Sequence, residues 1–140
     1  MSGLRWIAVA TLFGVAAVAI GAARPDDGPG PIRTIEIDIR FSRFGPDAVR
    51  VPVGIPVRII LANGDPIDHE WIVADAAGHQ RHRTGTEPSH GARPTERSIP
   101  AGTTVETVVT FAAPGTMAFI CHLPGHEAYG MVGSIVVGDG

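Results

Sequence analysis

The sequence predicts an all-β protein, an antiparallel Greek-key β-sandwich of about seven to eight strands. Hydrophobic residues make up 44% of the 140 residues and charged residues 18%, so the chain has enough apolar surface for a packed core. Apolar and polar side chains alternate with a period of two in many short segments, which is the pattern of half-buried strands. Beyond the N-terminal region, no segment shows the periodicity of a soluble helix that would cover a parallel sheet.

The alternating segments follow one another along the chain. In the first, Ile35, Ile37 and Ile39 alternate with polar residues, and a helix is excluded because its apolar face would repeat every three to four residues. The turn Asn63-Gly64-Asp65-Pro66 precedes a further strand at residues 69–74. The remaining predicted strands occupy residues 49–53, 57–61, 103–111, 117–121 and 133–137.

The N-terminal region carries an export signal. Arg5 precedes residues 6–23, an uncharged and mostly apolar run that ends in small residues. This pattern predicts either a signal peptide cleaved near Ala23 or an uncleaved membrane anchor. Residues 24–31 are rich in proline and glycine and predict a linker. We therefore expect a periplasmic or other extracytoplasmic protein whose folded domain spans residues 32–140.

Composition excludes several functions. The formal net charge of -3 lacks the excess of clustered basic residues that binding nucleic acid requires. Cys121 is the single cysteine, which excludes an intramolecular disulfide and a zinc site of paired cysteines. No paired carboxylates argue for hydrolysis, and we expect the protein not to be an enzyme. The lone thiol of an exported chain therefore needs a chemical role of its own.

The candidate ligands lie near the C-terminus. Cys121, His126 and Met131 follow one another at intervals of five residues between two predicted strands. Thiolate, imidazole and thioether together suit a copper ion that cycles between Cu(I) and Cu(II). A second imidazole must come from elsewhere, and His69 is the best candidate because it opens a rigid strand. We expect one copper per chain, and the alternative sources of this imidazole are His79, His82 and His90.

These motifs resemble those of the cupredoxins, the blue copper proteins of the plastocyanin and azurin superfamily. The loop Cys121 to Met131, with Pro124-Gly125-His126, is similar to the ligand loop of its rusticyanin- and sulfocyanin-like members. Asn63 followed by His69-Glu70-Trp71 resembles the segment with the family's first histidine. The resemblance implies an eight-stranded sandwich, a mononuclear type 1 copper and one-electron transfer. It also implies that His69, Cys121 and His126 are equatorial ligands and Met131 is axial.

One segment departs from this resemblance, and His122 calls for a separate comparison. Residues 75–98 have no apolar period and predict a long loop. Its histidines indicate either a solvated hydrophilic segment or an accessory copper site, which would be weak because a flexible loop loses entropy on ordering. His122 follows Cys121, as in multicopper oxidases, but Ile120 replaces the histidine that would precede the cysteine there. We therefore predict that His122 is an exposed loop residue.

Three functions remain open at this point. The first is a one-electron carrier whose redox protein partners dock near His126, where Leu123, Pro124 and Tyr129 form an apolar collar. The second is a copper-binding tolerance protein that sequesters or delivers copper with the histidine-bearing loop at 75–98. The third is a small subunit of a larger redox complex.

Overall fold

Two β-sheets pack face to face in the computed structural model, which describes residues 32–85, 90 and 93–139. The first sheet has the order β2-β1-β4-β7 and the second the order β3-β9-β8-β5-β6. The strands are β1 (Arg33–Arg40), β2 (Arg43–Gly45), β3 (Ala48–Pro52), β4 (Val57–Asn63), β5 (His69–Ala74), β6 (Glu96–Ile99), β7 (Thr104–Val109), β8 (Gly115–Ile120) and β9 (Val132–Gly138). This architecture confirms the predicted β-sandwich.

The predicted signal peptide or anchor and the linker lie outside the described residues. Within the described part of the chain, no helix combines the length and the apolar character needed to cross a bilayer.

Both sheets are mixed rather than purely antiparallel. β1 pairs with β4 in parallel, with Ile37 beside Leu61, and β3 pairs with β9 in parallel, with Val49 beside Ile135. The other strand pairs are antiparallel. The sequence prediction of an antiparallel sheet is wrong for these two pairs, because alternation shows which face of a strand is buried but not the direction of its neighbour.

The core lies between the two sheets. Its largest fully buried side chains include Ile37, Ile39, Ile59 and Leu61 from the first sheet and Trp71, Phe119 and Ile135 from the second. The Phe119 ring packs edge-on against Phe44, with ring centroids 5.0 Å apart. Cys121 and Met131 belong to the same buried cluster. The two ends of the predicted ligand loop, Cys121 and Met131, therefore lie in the core and are shielded from water, while Tyr129 of the same loop is exposed.

The structure corrects the prediction of an irregular loop at residues 75–98. A helix, α1 (Ala76–Arg83), follows β5 and lies against it, and β6 forms the edge of the second sheet. The side chain of Asp75 caps the helix by accepting a hydrogen bond of 2.7 Å from the Gly78 amide. His79 and His82 are buried, so the helical part of this segment is not a solvated loop.

Candidate metal centre

The second sheet and the loop after β8 position the predicted ligands. His69 is the first residue of β5, and Cys121 directly follows β8. The loop then returns through His126 to Met131, the residue before β9. Two backbone hydrogen bonds fix this return, from the Cys121 amide to the Met131 carbonyl at 3.2 Å and from the Met131 amide to the His126 carbonyl at 3.0 Å. The backbone of the loop is thereby closed on itself.

Three donor groups converge at this end of the sandwich. The Cys121 Sγ lies 3.2 Å from His126 Nδ1, and that nitrogen lies 3.2 Å from His69 Nδ1. The ligand atoms of the three residues all lie within 4.8 Å of one another. His69 and Cys121 are buried, whereas His126 is partly exposed. The fully buried Met131 is held beside them by its two backbone hydrogen bonds.

Asp65 supports the site and was not predicted from the sequence. Its Oδ2 lies 3.0 Å from His69 Nε2, which leaves Nδ1 of that ring directed toward Cys121 and His126. A carboxylate on the far nitrogen of a ligand histidine fixes the tautomer and the ring orientation. In the sequence, the turn Asn63-Gly64-Asp65 was the signal that could have pointed to this residue. In the structure, the Asp65 amide donates to the Asn63 side chain at 2.9 Å.

Burial disfavours the charged forms of two of the predicted ligands, Cys121 and His69. Burial raises the pKa of the Cys121 thiol, although hydrogen bonds from the Glu70 and Leu123 amides oppose that effect. Burial also lowers the pKa of His69, against the opposing hydrogen bond to Asp65. The imidazole is therefore free to bind a metal at neutral pH, and a metal bound at Cys121 must displace a proton.

The other histidines lie together on the opposite face of the second sheet. His122 has a side chain that is 2% exposed, so the prediction of an exposed loop residue is wrong. Its Nε2 lies 2.9 Å from Nδ1 of His79 on α1. Neighbouring residues at a strand end point to opposite faces, which directs Cys121 into the sandwich and His122 away from it. None of these histidines replaces His69 in the cluster with Cys121 and His126.

The donor set fits copper. One thiol and two imidazoles, beside a buried thioether, match the soft and borderline ligands of a copper ion that changes oxidation state. A β-sandwich with such a site at one end defines a cupredoxin-type copper protein. Residues 34–138 match the family of copper binding proteins described as the plastocyanin/azurin family. The chain belongs to this family, and copper is its cofactor.

Known relatives agree with this assignment. The chain is 34% identical over 119 residues to the copper-resistant cuproprotein CopI of Rubrivivax gelatinosus, covering 81% of this chain and 72% of the relative. It is 27% identical to the protein of the same name from Pseudomonas aeruginosa, covering 94% of this chain and 93% of that one. Among solved structures, auracyanin A, a blue copper protein of Chloroflexus aurantiacus, matches with a TM-score of 0.61 and 26% identity, covering 76% of this chain and 99% of auracyanin A.

Proposed function

We propose that this protein serves copper tolerance outside the cytoplasm, exported or anchored through residues 6–23. In this proposal one copper ion is held by His69, Cys121, His126 and Met131. The convergence of three donor groups in a buried, internally hydrogen-bonded site supports it. Both relatives named above are called copper-resistant cuproproteins, which favours this role over electron carriage alone.

Residues of the chain prepare the site for tight binding. Asp65 holds His69 in the tautomer that presents Nδ1, and the Glu70 amide donates to the Cys121 sulfur at 3.3 Å. A hydrogen bond to the sulfur stabilises the thiolate once its proton has left. The backbone hydrogen bonds of the loop restrain the positions of Cys121 and Met131. A bound copper supplies one-electron cycling between Cu(I) and Cu(II).

Growth in copper tests this function. In a strain that lacks the gene, the wild-type protein should restore growth at a copper concentration that the strain alone does not tolerate. Cys121→Ser should fail to restore it, because the variant loses the soft ligand that suits Cu(I). Ala128→Ser, an exposed change in the same loop, is the control and should behave as the wild type. Equal rescue by Cys121→Ser and by the wild type would disprove the proposal.

Electron carriage is a second candidate, and the surface around His126 favours it. Phe41 is 89% exposed and Tyr129 is 73% exposed, and both border a cavity of about 290 Å³ that His126 also lines. Apolar side chains around a partly exposed ligand suit the brief docking of a redox partner. In this second proposal, electrons enter and leave through His126.

Electron self-exchange between two copies of the protein tests this candidate. We expect Tyr129→Glu to slow self-exchange by about tenfold or more, because docking would bring two like charges together. Nuclear magnetic resonance line broadening in mixtures of the oxidised and reduced protein measures the rate. Val108→Glu, on the exposed face of β7 in the other sheet, is the matched control and should leave the rate unchanged. An unchanged rate in Tyr129→Glu would count against this docking face.

A further inference from the structure

A second group of metal-binding side chains lies on the outer face of the second sheet. His82 comes from α1, His90 from the segment after it, and Glu96 from the start of β6. Each side chain is at least nine-tenths buried, with exposed fractions of 2%, 9% and 7%. One ligand atom from each residue lies within 4.8 Å of the other two. Three successive parts of the chain thus bring metal-binding atoms to one buried point.

The spacing of these atoms does not fit hydrogen bonding. His82 Nε2 lies 3.8 Å from Glu96 Oε1, and His90 Nδ1 lies 3.9 Å from Glu96 Oε2. Hydrogen bonds between such groups span about 2.7–3.2 Å. Two atoms that each bind one ion at about 2.0–2.2 Å are separated by about 3–4 Å. The observed separations therefore match ligands around an ion better than a closed hydrogen-bond network.

Three of these atoms are buried and lack a hydrogen-bond partner. Among the described residues, six buried side-chain atoms are in this condition, and three of them, His82 Nε2, His90 Nδ1 and Glu96 Oε2, belong to this cluster. Burying such groups without a partner is unfavourable, and most proteins avoid it. Arg93 pairs with the other carboxylate oxygen of Glu96, at 2.8 Å, which leaves Oε2 facing His90. A bound ion would satisfy all three atoms at once.

Neighbouring side chains orient both imidazoles. Glu70 Oε1 lies 3.1 Å from His90 Nε2, so that nitrogen donates to the carboxylate and Nδ1 keeps its lone pair for a metal. The His122 ring is parallel to the His82 ring, with centroids 5.6 Å apart and an interplanar angle of 3°. This stacking holds His82 in place. The same carboxylate-to-imidazole arrangement occurs at the primary centre, between Asp65 and His69.

From this geometry we infer a second metal site, which binds Cu(II) through His82, His90 and Glu96. Imidazole and carboxylate ligands without a thiolate suit a divalent ion rather than Cu(I), and among divalent first-row ions such sites bind Cu(II) most tightly. Without a sulfur ligand, the second ion lacks the intense colour that a thiolate gives Cu(II). The inference rests on the geometry of this cluster, and it is independent of the role proposed for the primary centre.

Copper content measured together with colour tests the second site. The full-length protein is loaded with excess Cu(II), freed of unbound metal by gel filtration, and assayed for copper per chain, visible absorption and electron paramagnetic resonance. We expect the wild type to retain one copper ion more per chain than Glu96→Gln and His82→Ala. The visible band should be the same in all three, since it reports the primary centre. Glu106→Gln, on the exposed edge of β7, is the matched control and should retain the wild-type copper content.

Two results would overturn the inference. Equal copper content in the wild type and in both variants would mean that water or hydrogen bonds occupy the cluster. Displacement of the second ion by an equal concentration of Zn(II) would mean that the site prefers zinc. If His82→Ala does not fold, Glu96→Gln still decides, because it keeps the shape of the side chain and removes only its charge and one acceptor. A wild-type protein without a visible band would contradict the assignment of the primary centre, and the copper content would still decide the second site.

Discussion

Asp65 is the residue that joins the metal centre to the rest of the fold. Besides its contact with His69, its carboxylate accepts hydrogen bonds from the amides of Phe41 at 2.7 Å and Ser42 at 2.8 Å. Both residues have positive φ, at 55° and 53°, and they form the two-residue turn between β1 and β2. Non-glycine residues adopt this conformation at a cost, and the carboxylate offsets it by accepting from both amides.

Replacing Asp65 with asparagine should destabilise the protein at neutral pH. The side-chain amide presents only one acceptor oxygen, so a buried donor loses its partner at a cost of about 1–3 kcal/mol. Burial alone would raise the pKa of the Asp65 carboxyl, but hydrogen bonds from Ser42, Phe41 and His69 outweigh burial and hold the pKa below the ordinary 3.8. A carboxyl with a lowered folded pKa contributes stability above its unfolded pKa and loses that contribution as the pH falls through the folded value.

Urea unfolding of the metal-free protein across pH measures this contribution. The difference in free energy of unfolding between wild type and Asp65→Asn should be largest above about pH 5 and should shrink as the pH falls below about 4. Asp38→Asn is a control, because Asp38 is an exposed carboxylate on β1. A difference that stays constant from neutral to acid pH would contradict the proposed role of the Asp65 charge.

The sequence predicts the donors that the structure brings together but not the residues that support them. Cys121 and His126 could be recognised because thiol and imidazole are rare and their spacing is specific. The turn that contains Asp65 was visible in the sequence, but its contact with His69 was not. Glu70 gave no signal, because isolated carboxylates are ordinary on protein surfaces. Their roles follow from contacts between parts of the chain that are distant in sequence, which periodicity does not report.

At the scale of elements, two short strands and the helix α1 were missed, for different reasons. β2 has only three residues, too few to show a period. β6 has a single apolar residue facing the core, Ile99. The buried positions of α1 are Gly78, His79 and His82, so its inner face is polar and gives no hydrophobic signal. Hydropathy cannot distinguish a histidine that lies in a buried cluster from one in solvent.

The pairing of β8 with β9 provides a test of packing in the second sheet. Gly133 lies directly opposite Phe119, and a Cβ at Gly133 would collide with the Phe119 ring and come within 2.7 Å of the Asp47 carbonyl oxygen. We expect Gly133→Ala to lower the free energy of unfolding by about 1–3 kcal/mol, because overpacking forces the ring or the strand to move. Chemical denaturation measures the change. Gly138→Ala, in the same strand with open space around its Cβ position, should be close to neutral.

At the scale of the whole molecule, the second sheet separates the two clusters of metal-binding residues and also connects them. On β5, His69 faces the primary centre, while the carboxylate of the next residue, Glu70, contacts His90 on the other face. After β8, Cys121 likewise faces the primary centre, whereas the next residue, His122, contacts His79 on the other face. The Glu70 amide also donates to the Cys121 sulfur. Glu70 therefore contacts groups on both faces of the sheet.

The primary centre also joins the two sheets, so copper binding should stabilise the whole domain. His69 belongs to the second sheet, while Asp65 holds the turn between β1 and β2 of the first. Arg43 of β2 donates from Nη1 to the Gly130 carbonyl of the ligand loop at 3.0 Å. Unfolding either sheet removes part of this support. A ligand that binds only the folded state therefore raises the stability of the entire sandwich.

Thermal unfolding with and without copper measures this linkage. At a free copper concentration about 100 times the dissociation constant, binding adds about 2.7 kcal/mol, which raises the Tm of a domain of this size by roughly 10 °C. The comparison is made in the Glu96→Gln background, where the second cluster has lost its carboxylate. There, adding Cys121→Ser should remove most of the copper-dependent rise in Tm. An equal rise with and without Cys121→Ser would mean that copper stabilises the fold from somewhere other than the primary centre.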